Sequence, residues 1–139
     1  MQIDTTTDFG KRVERRLREE TVIWLTTVRR DGTPQPTPVW FLWDGESILM
    51  YSRPNQQKQR NIERNAKVSL NFDGDGHGGN IIVISGEARI VADAPPATEV
   101  PEYVAKYAEP VKQIGMEPDS FARTYSLAIR ITPTGMHGH

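Results

Sequence analysis

Ser47-Ile-Leu-Met-Tyr-Ser-Arg-Pro-Asn-Gln-Gln-Lys-Gln-Arg-Asn-Ile-Glu-Arg-Asn-Ala-Lys-Val-Ser-Leu-Asn-Phe72 is the stretch that constrains this chain most. It reads as strand, polar turn, short helix, strand. Ile48 to Ser52 is an apolar, β-leaning run, and Val68 to Phe72 alternates apolar and polar positions with period two. Between them the chain turns cationic. Pro54 pre-sets its own dihedral, and Asn55 is a good N-cap for a helical run from Gln56 to Asn65. A helix therefore starts where a strand has just ended. The free N–H groups and positive dipole end of such a start attract an anion, and Arg53 and Lys58 add full charges.

Composition alone leaves two readings of this stretch open. It is either a phosphate cradle or a surface helix with Ile62 and Ala66 as its only apolar anchors and solvated Lys and Arg on the rest.

The 139 residues carry a net charge of −1, with 37% hydrophobic and 25% charged residues, as expected of one soluble domain spanning 1–139. A near-neutral balance argues against a dedicated nucleic-acid binder, whose footprint is strongly basic. The absence of cysteine excludes disulfides, thiol catalysis and thiolate metal sites, and a reducing, cytoplasmic setting fits it. No apolar run approaches the roughly 20 residues of a membrane span, and the N-terminal MQIDTTTDF does not read as a secretory signal.

Working outward, Asp8 to Glu20 reads as a helix with Phe9, Val13 and Leu17 on one stripe and Thr7 or Asp8 as cap. Its basic face can neutralise itself through Glu14 with Arg18, Arg15 with Glu19 and Arg16 with Glu20, each pair four residues apart. Thr21 to Val28, Pro36 to Trp43 and Ser47 to Ser52 are separated by Asp-Gly turns and should form an antiparallel meander. The middle run is unusual. Pro34, Pro36 and Pro38 alternate along its entry and cannot donate to a ladder, so this strand should lie at an edge or stand open to a planar ligand. Trp40, Phe41 and Trp43 follow, suited to core packing or to ligand stacking.

Beyond the central stretch, Asp73 to Gly79 is a flexible loop. Its Asp-x-Asp-Gly opening is not a calcium loop, because the twelfth position from Asp73 is Ile84. Asn80 to Val91 reads as a long strand bulged at Gly86, and Thr98 to Ala108 as a helix with Val100, Val104 and Tyr107 on one side, stopped by Pro110. Pro118 to Arg123 is a short helical turn and Tyr125 to Thr132 a last alternating strand. Residues 1–7 and 134–139 read as loose tails. The sum is a mainly β, α+β chain whose six antiparallel strands close into a small barrel, which removes exposed edges.

No Ser/His/Asp ordering, metal-binding helix or glycine-rich phosphate loop is present. The histidines, His77, His137 and His139, lie in a loop and a tail, so no metal site is expected. No acid–base pair stands out and the catalytic residues are unassigned, so an enzyme built on this chain needs an organic cofactor for the hard chemistry.

The runs TVIWLTTVRRDGTPQPTPVWFLWDGE, LMYSRPNQQKQRNIERNAKVSLNF, IVISGEARIV and AIRITPT together resemble the split β-barrel flavin and deazaflavin oxidoreductases, the pyridoxamine 5'-phosphate oxidase-like superfamily. Within it they are most similar to the class using the deazaflavin coenzyme F(420). The likeness spans about Val13 to Thr134. It implies an FMN-binding type of six-stranded split barrel, with the pyrimidine side of the ring along Pro38, Val39 and Trp40 and the phosphate held by Ser52, Arg53, Gln57 and Lys58. It also implies a homodimer whose partner subunit closes the pocket. The implied activity is hydride transfer from reduced deazaflavin F(420) to a small unsaturated or quinone-like substrate. An FMN-binding flavoprotein and a storage module without turnover are the alternatives.

Overall fold

The computed structural model describes residues 2–139. In chain order the elements are α1 (Asp8–Glu19), β1 (Ile23–Val28), β2 (Pro34–Val39), β3 (Leu42–Trp43), β4 (Ile48–Ser52), α2 (Gln57–Arg64), β5 (Lys67–Asn71), β6 (Ile82–Val91), α3 (Pro101–Gln113), α4 (Pro118–Thr124) and β7 (Leu127–Gly138). One 3-10 turn, Ala97–Glu99, precedes α3.

All strands join one antiparallel sheet in the order β2-β1-β5-β6-β7-β4-β3. The sheet has seven strands rather than the expected six, because the run Pro36 to Trp43 breaks at Trp40 and Phe41. The expected three-run meander is therefore replaced by two hairpins. β1 pairs with β2 at one edge and β3 with β4 at the other. Those edges are joined through Trp40 and Phe41 alone. Three Cα steps span at most about 11 Å, so the two edges must meet and the sheet must curl into a half-barrel. The crossover is what closes it.

The curl encloses a core of Ile23, Leu25, Phe41, Ile48, Met50, Leu70, Ile82, Ile84, Ile129 and Ile131, capped by Val13 and Leu17 of α1. Thr7 caps α1 by accepting from the Gly10 N–H at 2.9 Å. Two of the three expected pairs on this helix form, Glu14 with Arg18 at 2.6 Å and Arg16 with Glu20 at 3.1 Å. Arg16 is buried and does more. It donates to the Asp73 carbonyl at 2.8 Å and lies over the Phe72 ring, fastening the glycine loop to the barrel.

The last strand continues to Gly138 instead of stopping at Thr132, so 134–139 is not a loose tail. Pro133 would interrupt a regular ladder, yet here Gly86 faces Pro133 while Ser85 faces Gly135, leaving Thr134 as the extra residue of a bulge. Gly86 is required opposite that bulge, since a Cβ there would lie 2.8 Å from the Ile131 side chain. At the other terminus Ile3 packs on the core, so the described part of 1–7 is not free either, and Met1 lies outside the described residues.

α3 also departs from expectation. It runs through Pro110 to Gln113, and its buried stripe is Tyr103, Tyr107 and Val111, with Val104 left 38% exposed. A helix-interior proline costs about 3 kcal/mol or more, and three large side chains buried at four-residue spacing offset it. Gly115, in the left-handed region at φ 77°, ends the helix.

Candidate functional site

A groove of about 300 Å³ opens beside the crossover. Pro38, Val39 and Trp40 form one side, the end of β4 with Tyr51, Ser52 and Arg53 another, and Gln56 and Lys58 the start of α2. Ile114, Phe121 and Tyr125 close it from the α3–α4 side. Six of the residues singled out from sequence, Pro38, Val39, Trp40, Ser52, Arg53 and Lys58, thus line one cavity. Gln57 does not. Its amide donates to Asn61 Oδ1 at 2.8 Å and its carbonyl oxygen accepts from Arg60 at 3.0 Å, while Gln56 takes the place on the groove.

The strand side has a chemical direction. Arg29 N donates to Thr33 O at 2.9 Å, which marks that pair as hydrogen-bonded. Alternation then makes Thr27/Gln35, Leu25/Thr37 and Ile23/Val39 bonded pairs, and leaves Pro34, Pro36 and Pro38 facing away from β1. The outer edge of β2 therefore offers carbonyls and no N–H groups until Trp40. The N–H of Trp40 has no hydrogen-bond partner among the described residues. An acceptor followed by a donor matches a flat ring carrying an N–H beside a C=O.

The helix side is cationic. Asn55 is not the N-cap; it sits at φ 64°, and Gln56 precedes α2 without a side-chain cap bond. No side chain caps the helix start, and the N–H groups of Gln57 and Lys58 have no partner among the described residues. Lys58 is half-buried and has no hydrogen-bond or ion-pair partner among the described residues. Burial holds its ammonium below the usual lysine range. Arg53 lies with its guanidinium 5.4 Å from the Tyr125 ring centroid, and Tyr125 stacks on Phe121 at 4.5 Å. Ser52 is buried, and its hydroxyl donates to the Arg53 carbonyl at 3.2 Å.

What fixes these walls was only partly visible in the sequence. Trp40 stacks with Tyr107 at 4.8 Å and Phe121 at 5.5 Å, so its ring serves packing. The Tyr107 hydroxyl accepts from Phe41 N at 2.7 Å and reaches the Thr21 and Phe41 carbonyls. Lys106 donates to Phe41 O at 2.8 Å and lies 3.8 Å from the Phe41 ring centroid. Burial pulls the Lys106 ammonium down to about 8, against the opposing charge of Glu20. α3 thus holds the crossover by its backbone. Ala66 is exposed and lies beyond the end of α2, so it is no apolar anchor of that helix; the second buried residue beside Ile62 is Asn61. Tyr51, Phe121, Tyr125 and Ile114 were not singled out from sequence. The four-residue spacing of Phe121 and Tyr125 signals a shared helix face, but not which cavity that face meets.

Among the described residues no group of three or more His, Asp and Glu could hold a metal ion, and no helix is long and apolar enough to cross a membrane. The family model described as pyridoxamine 5'-phosphate oxidase matches residues 9–139. No curated protein matches the sequence. A solved F(420) reductase is similar at TM-score 0.71 and 29% identity, over 89% of this chain and 94% of that one. A candidate pyridoxamine 5'-phosphate oxidase from Listeria innocua shares the fold at TM-score 0.67 and 20% identity, over 91% of this chain and 94% of that one. HutZ, the heme storage protein from Vibrio cholerae, does so at TM-score 0.64 and 16% identity, over 99% and 95%. The half-barrel, its groove and a family model matching nearly the whole sequence agree, and the chain belongs to the pyridoxamine 5'-phosphate oxidase family.

Proposed function

We propose that the groove binds the ring and phosphate of a flavin-type cofactor, with deazaflavin F(420) favoured over FMN, and that the protein is an oxidoreductase acting on a small unsaturated or quinone-like molecule. The observation that carries this reading is Lys58, a half-buried cation with no counter-charge among the described residues, beside N–H groups at a helix start that have no partner among them. Taking a charge out of water is costly unless something opposite in sign meets it. A phosphate does so there, and Arg53 stands at the same rim.

The rest of the groove suits the ring. The carbonyl of Pro38 accepts an imide N–H, and the N–H of Trp40 donates to the neighbouring ring carbonyl. A bound flavin or deazaflavin supplies the redox chemistry, and the chain supplies binding, orientation and exclusion of water. Phe121 and Tyr125 add an aromatic wall to the site. Ile114, 49% exposed at the rim, is where a second copy of the chain would complete the pocket in a homodimer. Deazaflavin is favoured because the F(420) reductase is 29% identical over most of both chains.

Titration of the purified protein with FMN and with F(420), followed by absorbance and fluorescence, tests the reading. Micromolar binding of the deazaflavin alone is the expected result, while retention of FMN through purification transfers the assignment to FMN. Lys58→Ala and Arg53→Ala should each weaken binding by about 1.5–3 kcal/mol, the worth of a hydrogen bond to a charged group. Parental affinity in both variants would sink the anion site.

A further inference from the structure

Asn61 has no exposed surface and uses its whole hydrogen-bonding capacity. Its amide nitrogen donates to Thr27 Oγ1 of β1 at 2.9 Å and to Gln35 Oε1 of β2 at 3.0 Å. Its oxygen accepts from Gln57 at 2.8 Å and from Arg64 at 3.4 Å. One side chain therefore grips both strands of the β1–β2 hairpin and the first and last turns of α2. Gln57 is the residue before Lys58, and Gln35 lies three residues before Pro38 on the strand whose outer edge meets the groove.

The consequence is geometric. The anion site and the ring edge sit on two separate elements, and a ligand spanning both gains from the second contact only if their separation is held. Apolar contact holds it only loosely, because Ile62 is the one buried apolar side chain of α2 and its burial is non-directional. Arg64 adds a single bond from α2 to the Val28 carbonyl at 2.9 Å, on an exposed side chain at the far end of the helix. We propose that Asn61 is the positioning residue of this site, setting the spacing between the phosphate-binding start of α2 and the ring-binding edge of β2. This rests on the flavin-type reading of the groove, and the two fail differently.

The test compares whichever of FMN or F(420) binds the parent with its own phosphate-free core, riboflavin or the deazaflavin riboside, and with inorganic phosphate. In Asn61→Leu, which keeps the volume and removes every bond, the complete cofactor should bind about tenfold to a hundredfold more weakly. The core alone and phosphate alone should each change by less than about threefold, because each half-site survives on its own element. Gln35→Leu removes one arm at a half-exposed position. It should shift the same way by a smaller factor, and it carries the test if Asn61→Leu does not fold. Equal losses for the complete cofactor and for its parts would show a general structural role and overturn the assignment, as would no loss for the complete cofactor. If neither cofactor binds the parent, the groove reading falls and this inference with it.

Discussion

The two helical walls of the groove are held in opposite ways. α2 carries little apolar surface and is tied to the sheet by the hydrogen bonds of one buried asparagine and of Arg64, with Lys58 lacking a partner among the described residues at its start. The α3–α4 wall is held by stacked rings: Trp40, Tyr103, Tyr107, Phe121 and Tyr125 form one cluster against β4 and β7. Burial of large rings contributes most of the free energy on that wall, whereas a satisfied amide contributes direction with modest energy. The contrast separates stability from binding. The aromatic wall should carry the first and the polar wall the second.

The largest break of that contrast is Phe121→Ala. Phe121 is 4% exposed and touches three rings, those of Trp40, Tyr103 and Tyr125, so its removal should cost about 3–5 kcal/mol of unfolding free energy, read from urea midpoints. Lys58→Ala should leave the midpoint near or above that of the parent, since it deletes a desolvated cation, while lowering cofactor affinity. If the two variants lose stability and affinity in the same proportion, the division of labour is wrong.

Tyr107→Phe is a smaller and sharper change. The ring stays, but the Phe41 N–H loses its partner inside the crossover, at a cost of about 1–3 kcal/mol. Because Phe41 adjoins Trp40, ring binding should weaken alongside. A variant with unchanged midpoint and affinity would show that the crossover does not depend on the Tyr107 hydroxyl.

The smallest effect is in pH. Between about pH 8 and the 10.5 of a free lysine, native Lys106 has released a proton that the unfolded chain still holds. The unfolded state then binds more protons, so stability should rise across that window, with Lys58 acting in the same direction. Burial pushes the phenols of Tyr103 and Tyr107 above their ordinary 10.0. Above that value the unfolded tyrosines ionise while the native ones stay protonated, and stability should fall. Chemical unfolding at pH 7 and 9 should show the rise, flattened in Lys106→Met. An identical rise in that variant would remove Lys106 from the account.

Much of the fold could be read from local chemistry. Thr7 was legible as a cap and Ile48–Ser52 as a strand, because each depends on neighbours a few residues away, while the bulge expected at Gly86 lies on the facing strand at Thr134. Pro34, Pro36 and Pro38 announced an edge, since a missing N–H is a property of the residue itself. The errors share another cause. Stopping α3 at Pro110 ignored the burial of Tyr103, Tyr107 and Val111, and ending the last strand at Thr132 ignored what a bulge opposite Gly86 permits. In both places a contact distant in sequence outweighed a local preference.

The site divides along the same line. Sequence alone determined that cations gather at a helix start after β4 and that a proline-spaced strand lacks donors, because charge and missing N–H groups travel with the residue. Only the tertiary structure decided that these two features share one groove, that Gln57 turns away into the Asn61 network, and that Phe121 and Tyr125 complete the wall. Those outcomes depend on where the sheet closes on itself. Closure is settled by the packing of a core drawn from the whole chain, which no local window contains.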